Sequence, residues 1–126
     1  MPVLNKGAAV VLVASITAFR PEMPPISLYA VSKSGLVSLS RVLATELAPR
    51  GIRVNCIAPG TVATKFAAAL VESDSAREDA EGRTLLGRLG TADEIAAAIA
   101  FLASDDASYV VGETLVVAGG MLAGRL

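Results

Sequence analysis

The sequence predicts an α/β fold built on a short parallel sheet, and two observations carry that expectation. Three short segments, Ala8 to Ser15, Arg53 to Ala58 and Thr114 to Val117, read as strands, the first an unbroken apolar, valine-rich run. Such a run suits a strand buried on both faces. A stretch with helical character falls between each strand and the next, and parallel neighbours require a crossover of that kind.

Taken in order, Ala8 to Ser15 is followed by a loop from Phe19 to Ser27. Pro21, Pro24 and Pro25 exclude regular structure there. Leu28 to Ala48 reads as a helix, because Leu36, Leu39, Leu43 and Leu47 recur at spacings of three and four, and Pro49 with Gly51 stops it. Its other side carries Ser34, Gly35, Ser38 and Ala44, small enough for close packing against another helix or a sheet. The strand Arg53 to Ala58 ends at Pro59-Gly60. Residues 65–88 are polar and weakly periodic and read as a mobile helical flap. Thr91 and Glu94 form a capping-box pattern that opens a helix to about Ala103, with Ile95, Ile99 and Leu102 inward. Asp105 to Tyr109 reads as a loop or short turn before the last strand and Gly119-Gly120.

At 126 residues the chain is one domain, and 53% of its residues are apolar. The net charge of −1 has no clustering, which argues against nucleic acid or an anionic membrane as partner. The absence of histidine excludes a Ser-His-Asp triad and any histidine-ligated metal. One cysteine, Cys56, reads as a buried small hydrophobe and points to a reducing, cytoplasmic setting. No apolar run reaches the roughly 18 residues of a membrane span.

Three side chains stand where carbonyl–alcohol chemistry needs them. Tyr29 and Lys33 are one helical turn apart and share a face. A phenol is a poor acid–base group at neutral pH, but a nearby ammonium favours its charged form. Ser15 closes the first strand, on the side where ligands gather in open α/β sheets, and its hydroxyl suits a developing alkoxide.

These residues form part of a longer pattern: VVLVAS at 10–15, YAVSK at 29–33, Glu46 through Asn55 (ELAPRGIRVN), and Pro59-Gly60. Arg88-Leu89-Gly90, Phe101 through Ser104 and Gly112-Glu113-Thr114 complete it. The ensemble resembles the short-chain dehydrogenase/reductase family over essentially the whole chain. The resemblance implies a partial Rossmann (doubly wound) fold and hydride transfer between NAD or NADP and a small carbonyl or alcohol substrate. It implies that Ser15, Tyr29 and Lys33 are catalytic, with Tyr29 the acid–base group. Tyr29 and Lys33 would also meet the nicotinamide ribose. Pro59, Gly60 and Val62 would offer backbone to the carboxamide, and Thr64 a hydroxyl to a cofactor phosphate. Residues 65–88 would face the substrate. Ser15 and Tyr29 stand 14 apart where 13 is commoner in the family, a departure placed in the proline-rich loop.

No glycine-rich turn precedes Ser15, although a dinucleotide fold needs one to cradle the pyrophosphate. The chain therefore reads as a single truncated domain over residues 1–126, the catalytic half, incomplete and inactive when isolated. The alternative expectation is a non-catalytic module that pairs with full-length relatives, and the family's habits imply a homo-oligomer or pairing with a related chain.

Overall fold

The computed structural model describes residues 4–21, 27–64, 67–68 and 73–123. Three strands, β1 (Ala9–Val13), β2 (Arg53–Pro59) and β3 (Thr114–Val117), pair in parallel in that order. The register sets Val10 beside Val54, Leu12 beside Cys56, and Cys56 beside Thr114. The central strand β2 is the driest part of the molecule, with Val54, Cys56, Ile57 and Ala58 all at 0% exposure. Each of its larger apolar side chains contributes roughly 1.5–3 kcal/mol on burial.

Alternation along a strand sends successive side chains to opposite faces. One face receives helix α1 (Ser27–Leu47): Val54 packs with Ala44 and Leu47, and Cys56 with Val37 and Ala14. Arg53, one residue out of phase, reaches the other face. Its guanidinium donates to the carbonyls of Leu102 and Ser104 at 2.8 Å each, at the end of helix α3 (Ala92–Ala103). A cation there complements the helix dipole and satisfies terminal carbonyls. The sheet is thus layered between α1 and α3.

Helix α1 ends where the sequence places the stop. Pro49 lies in a 3-10 turn, Ala48–Arg50, and Gly51 follows at φ 71°, a left-handed conformation that favours glycine. Its buried face coincides with neither the leucine repeat nor the small-residue side. Ala30, Val37, Ser40, Ala44 and Leu47 are buried, Leu36 and Leu43 flank them, and Leu39 is exposed. A close-packed sheet surface takes small side chains along its centre and pushes bulky ones to the sides. Of the four small residues expected to pack, Ala44 is buried and Gly35 and Ser38 face outward.

The remaining elements follow local chemistry. The capping box forms: Thr91 Oγ1 accepts from the Glu94 N–H at 3.2 Å, and Glu94 Oε2 accepts from the Thr91 N–H at 2.9 Å. Helix α2 (Asp74–Gly82) occupies the polar stretch and is capped by Ser73, whose hydroxyl accepts from Ala76 N–H. Asp105–Ala107 is a 3-10 turn. The first strand is shorter than expected, because the chain leaves it at Val13 and winds into a 3-10 turn over Ile16–Ala18. Pro24 and Pro25 lie outside the described residues. Among the described residues no helix is long and apolar enough to cross a membrane, and no cluster of acidic or cysteine side chains is arranged for a metal ion.

Candidate active site

The site begins where β1 ends. The Ala14 N–H donates to the Ile57 carbonyl at 2.8 Å, carrying the ladder one residue past the strand and fixing where Ser15 emerges. Ser15 is extended (φ −163°, ψ 158°) and caps the 3-10 turn, its Oγ accepting from the Thr17 N–H at 3.2 Å. A hydroxyl has one hydrogen and two lone pairs. With one lone pair held by Thr17, the hydrogen remains for an acceptor in the neighbouring space.

Tyr29 and Lys33 lie in the first two turns of α1, as their spacing requires. The Lys33 ammonium is 5.4 Å from the centroid of the Tyr29 ring, within range of a cation–π attraction. Its Nζ donates to the Val13 carbonyl at 3.0 Å, at the last residue of β1. That bond ties the helix to the strand end and fixes the cation between Ser15's turn and the phenol. An ammonium has three donors, so this bond leaves two for other acceptors.

Pro59 ends β2, and the Gly60 N–H extends pairing to β3 by donating to the Val117 carbonyl at 2.9 Å. A Cβ on Gly60 would lie 2.8 Å from the Ala118 Cα, so close backbone approach requires glycine there. Val62 forms an isolated parallel bridge with Gly90, and Ala63 N–H donates to the Gly90 carbonyl at 3.0 Å. Thr64 lies just beyond, exposed, its Oγ1 accepting a long 3.4 Å bond from Ala67 N–H.

The fold brings all seven of these residues together. Ser15, Tyr29, Lys33, Pro59, Gly60, Val62 and Thr64 line one cleft of about 1020 Å³ outside the carboxyl ends of β1 and β2. That is the place where open parallel sheets bind ligands, and the volume is at the upper end for a small-molecule site. Its other walls are Ala76 and Asp79 of α2, Arg83 just after it, and Ile95 and Ile99 of α3. Asp79 and Arg83 are an i,i+4 ion pair, and Lys33 is a second cation of the lining, outside that pair.

Several features were not foreseen from the sequence. Thr17 lines the cleft, and its side chain has no signal in the sequence to mark it. Thr84 is buried and anchors the return from α2: its hydroxyl meets the carbonyls of Glu81 and Arg88 and accepts from Arg88 N–H at 3.1 Å. The Leu85 N–H donates to the Gly119 carbonyl at 2.8 Å, joining the same segment to the end of β3. Cys56 is a buried free thiol. Burial pushes its pKa up, opposed more weakly by hydrogen bonds with the Ala14 and Ile57 backbone, by the Lys33 charge and by the Thr114 side chain.

Comparison with known proteins places this architecture. Residues 1–122 match the family described as Enoyl-(Acyl carrier protein) reductase. The short-chain dehydrogenase/reductase SDRA of Arabidopsis thaliana is 52% identical over 120 residues, covering 95% of this chain and 46% of the relative. Tropinone reductase-like 3 of Erythroxylum coca is 51% identical over 119 residues, covering 94% and 45%. A crystal structure from Agrobacterium tumefaciens with bound NADP superposes with a TM-score of 0.84 at 38% identity, covering 92% of this chain and 47% of that one. The chain spans about half the length of the relatives it matches. Its parallel sheet, its helices and its sequence together make it a member of the short-chain dehydrogenase/reductase family.

Proposed function

We propose that the cleft is the catalytic half of a site for hydride transfer between NAD(P)H and a small carbonyl or alcohol. The observation that carries this reading is the convergence of Ser15, Tyr29 and Lys33 with the Pro59 to Thr64 segment on one cleft. The donor set suits the nicotinamide end of the cofactor: an ammonium and hydroxyls for a ribose, and strand-end backbone for an amide. NADPH is the first cofactor to test, because the Agrobacterium relative binds NADP.

When bound, the nicotinamide supplies the hydride. In the reduction direction, Ser15 donates its free hydrogen to the carbonyl oxygen and holds it in place. Tyr29 passes its phenolic proton to that oxygen as the carbon is reduced, which leaves an alcohol and a phenolate. The Lys33 ammonium, 5.4 Å from the ring, stabilises the charge left on Tyr29 until solvent returns the proton. Residues 65–88 are read as the substrate-facing flap of a single domain over residues 1–126; α2 lines the cleft, and residues 65–66 and 69–72 lie outside the described residues. A cytoplasmic setting goes with this reading, on the strength of a single buried cysteine.

These 126 residues hold no glycine-rich pyrophosphate turn. The isolated chain is therefore expected to be inactive until that turn is supplied. Calorimetric titration of the chain with NADPH, then NADH, tests this point. Heat with no saturation supports it, and saturable micromolar binding overturns it. A fusion to the glycine-rich half of the Arabidopsis relative tests the chemistry. Tyr29→Phe is expected to lower carbonyl reduction by about 10²–10⁴-fold in that fusion. Equal rates in the two proteins would sink the assignment of Tyr29.

A second reading, association with another chain without catalysis, has two observations in its favour. Leu28 and Val31 on α1 are 83% and 70% exposed, and Val42 follows on the same side. The edge of β1 away from β2 also has no strand partner among the described residues.

A further inference from the structure

Two layers of the molecule are left uncovered side by side. Helix α3 carries charge only in its first turn, at Asp93 and Glu94, and every later residue to Ala103 is apolar. A helix that is apolar all round belongs in an interior. Yet only Leu102 of α3 is buried, and Ala96, Ala97, Ala100 and Phe101 are exposed. Beneath it, β1 has no strand partner on the side away from β2 among the described residues. The Ala14 N–H and the Ala8 carbonyl bond to β2, so by alternation the N–H and C=O groups of Ala9, Val11 and Val13 point to the open side. The Val13 carbonyl accepts from Lys33 Nζ and keeps a second lone pair. Val10 and Leu12 pack towards α1, which turns the Val11 and Val13 side chains to the face that α3 covers. Nothing guards this edge: β1 has no charge and no proline, and its register with β2 runs without a bulge. The total surface agrees. A folded monomer of 12.8 kDa exposes about 6300 Å², whereas this chain exposes 7779 Å². The surplus of about 1500 Å² is what one subunit of an obligate dimer gives to its interface.

Building on the association reading above, we infer that the occupant of this side is a second copy of the chain, joined through β1. A two-fold axis at Val11 sets the strands antiparallel, with Val11 opposite Val11 and Ala9 opposite Val13. The outward groups of those residues then pair, and two three-stranded sheets become one of six strands. A two-fold axis brings each surface against itself, so like charges there would repel; β1 has none, and α3 has none beyond its first turn. The small residues of α3 let its two copies approach closely on one face of the joined sheet. Because the two β1 strands run oppositely, the clefts beyond their carboxyl ends open at opposite ends of the dimer and stay clear of each other.

Sedimentation of the full 126-residue chain over a range of concentrations, with amide hydrogen exchange on the same samples, is the test. The expected result is a species of twice the monomer mass. In it the Ala9, Val11 and Val13 amides exchange at least about tenfold more slowly than in dilute, monomeric samples. Val11→Pro removes one outward N–H and leaves the β1–β2 ladder intact, so it should keep the parent's circular dichroism and sediment as monomer. A dimer that survives in Val11→Pro, or one in which those three amides exchange freely, would overturn pairing through β1 and leave association through α1 in place. A parent that is monomeric at every concentration would overturn the inference together with the association reading. Capture of the separately made glycine-rich half of the Arabidopsis relative by that monomer would assign the open side to completion of the catalytic domain instead.

Discussion

At the scale of single residues, the molecule depends on polar side chains that close off backbone groups. Asn55 is 1% exposed in the middle of β2, where an amide is costly unless both ends are bonded. Its Nδ2 donates to the Val110 carbonyl at 2.8 Å and its Oδ1 accepts from the Glu113 N–H at 3.1 Å. The side chain therefore clasps the loop that feeds β3 onto the sheet. Asn55→Ala leaves a part-buried carbonyl and a part-buried N–H without these partners, and is expected to destabilise the chain by about 1–3 kcal/mol. Urea unfolding measures it, and a loss below about 0.5 kcal/mol would mean that water replaces both bonds. Ser15 and Thr17 are tied in the same way by a local hydrogen bond.

Secondary-structure elements are held by their ends. Helix α3 begins at a capping box whose Glu94 also meets Arg88 in a two-pronged ion pair, at 3.0 and 2.6 Å. The hydrogen bond from Arg88, reinforced by the Thr91 N–H, lowers the Glu94 carboxyl to about 2. A carboxylate with a depressed pKa adds stability above its unfolded value, and that addition is lost as pH falls through the folded one. The contribution is therefore complete near neutrality, declines below about pH 4.5 and is gone below about pH 2. Glu94→Gln should unfold at lower urea than the parent near neutrality, with the two midpoints converging as pH approaches that limit. A constant gap across the range would show that the charge of Glu94 does not matter. The same helix lines the cleft through Ile95 and Ile99, so its cap bears on the site as well.

Across the whole molecule, what matters is which surfaces stay uncovered. The sheet is closed above and below β2, but one edge of β1 has no strand partner among the described residues, and α1 presents Leu28, Val31, Leu39 and Val42 to solvent. Singly exposed apolar residues need no explanation, but a run along one helix next to an open strand invites association. Val31→Asp with Val42→Asp is expected to shift sedimentation from an associated species to monomer, and Tyr29→Phe to leave it unchanged. A parent that sediments as monomer at all concentrations would remove the association reading. Leu36 and Leu43, part of the leucine repeat that marks the helix in the sequence, flank the packing against the sheet.

The sequence by itself determined the element order, the helix stop at Pro49 and Gly51, the capping box at Thr91 and the side chains gathered at the cleft. Each of those rests on local rules: proline has no N–H, glycine tolerates positive φ, and residues four apart share a helix face. What only the tertiary structure decided was which face of α1 is buried, because small and large side chains are sorted by the shape of the sheet beneath them. It also decided that the α2 segment is pinned by Thr84 and Gly119, residues 35 positions apart whose pairing has no local signature. And it decided that Lys33 bonds the carbonyl of Val13, 20 residues earlier, because only the packing of α1 on the sheet brings that cation to the end of β1.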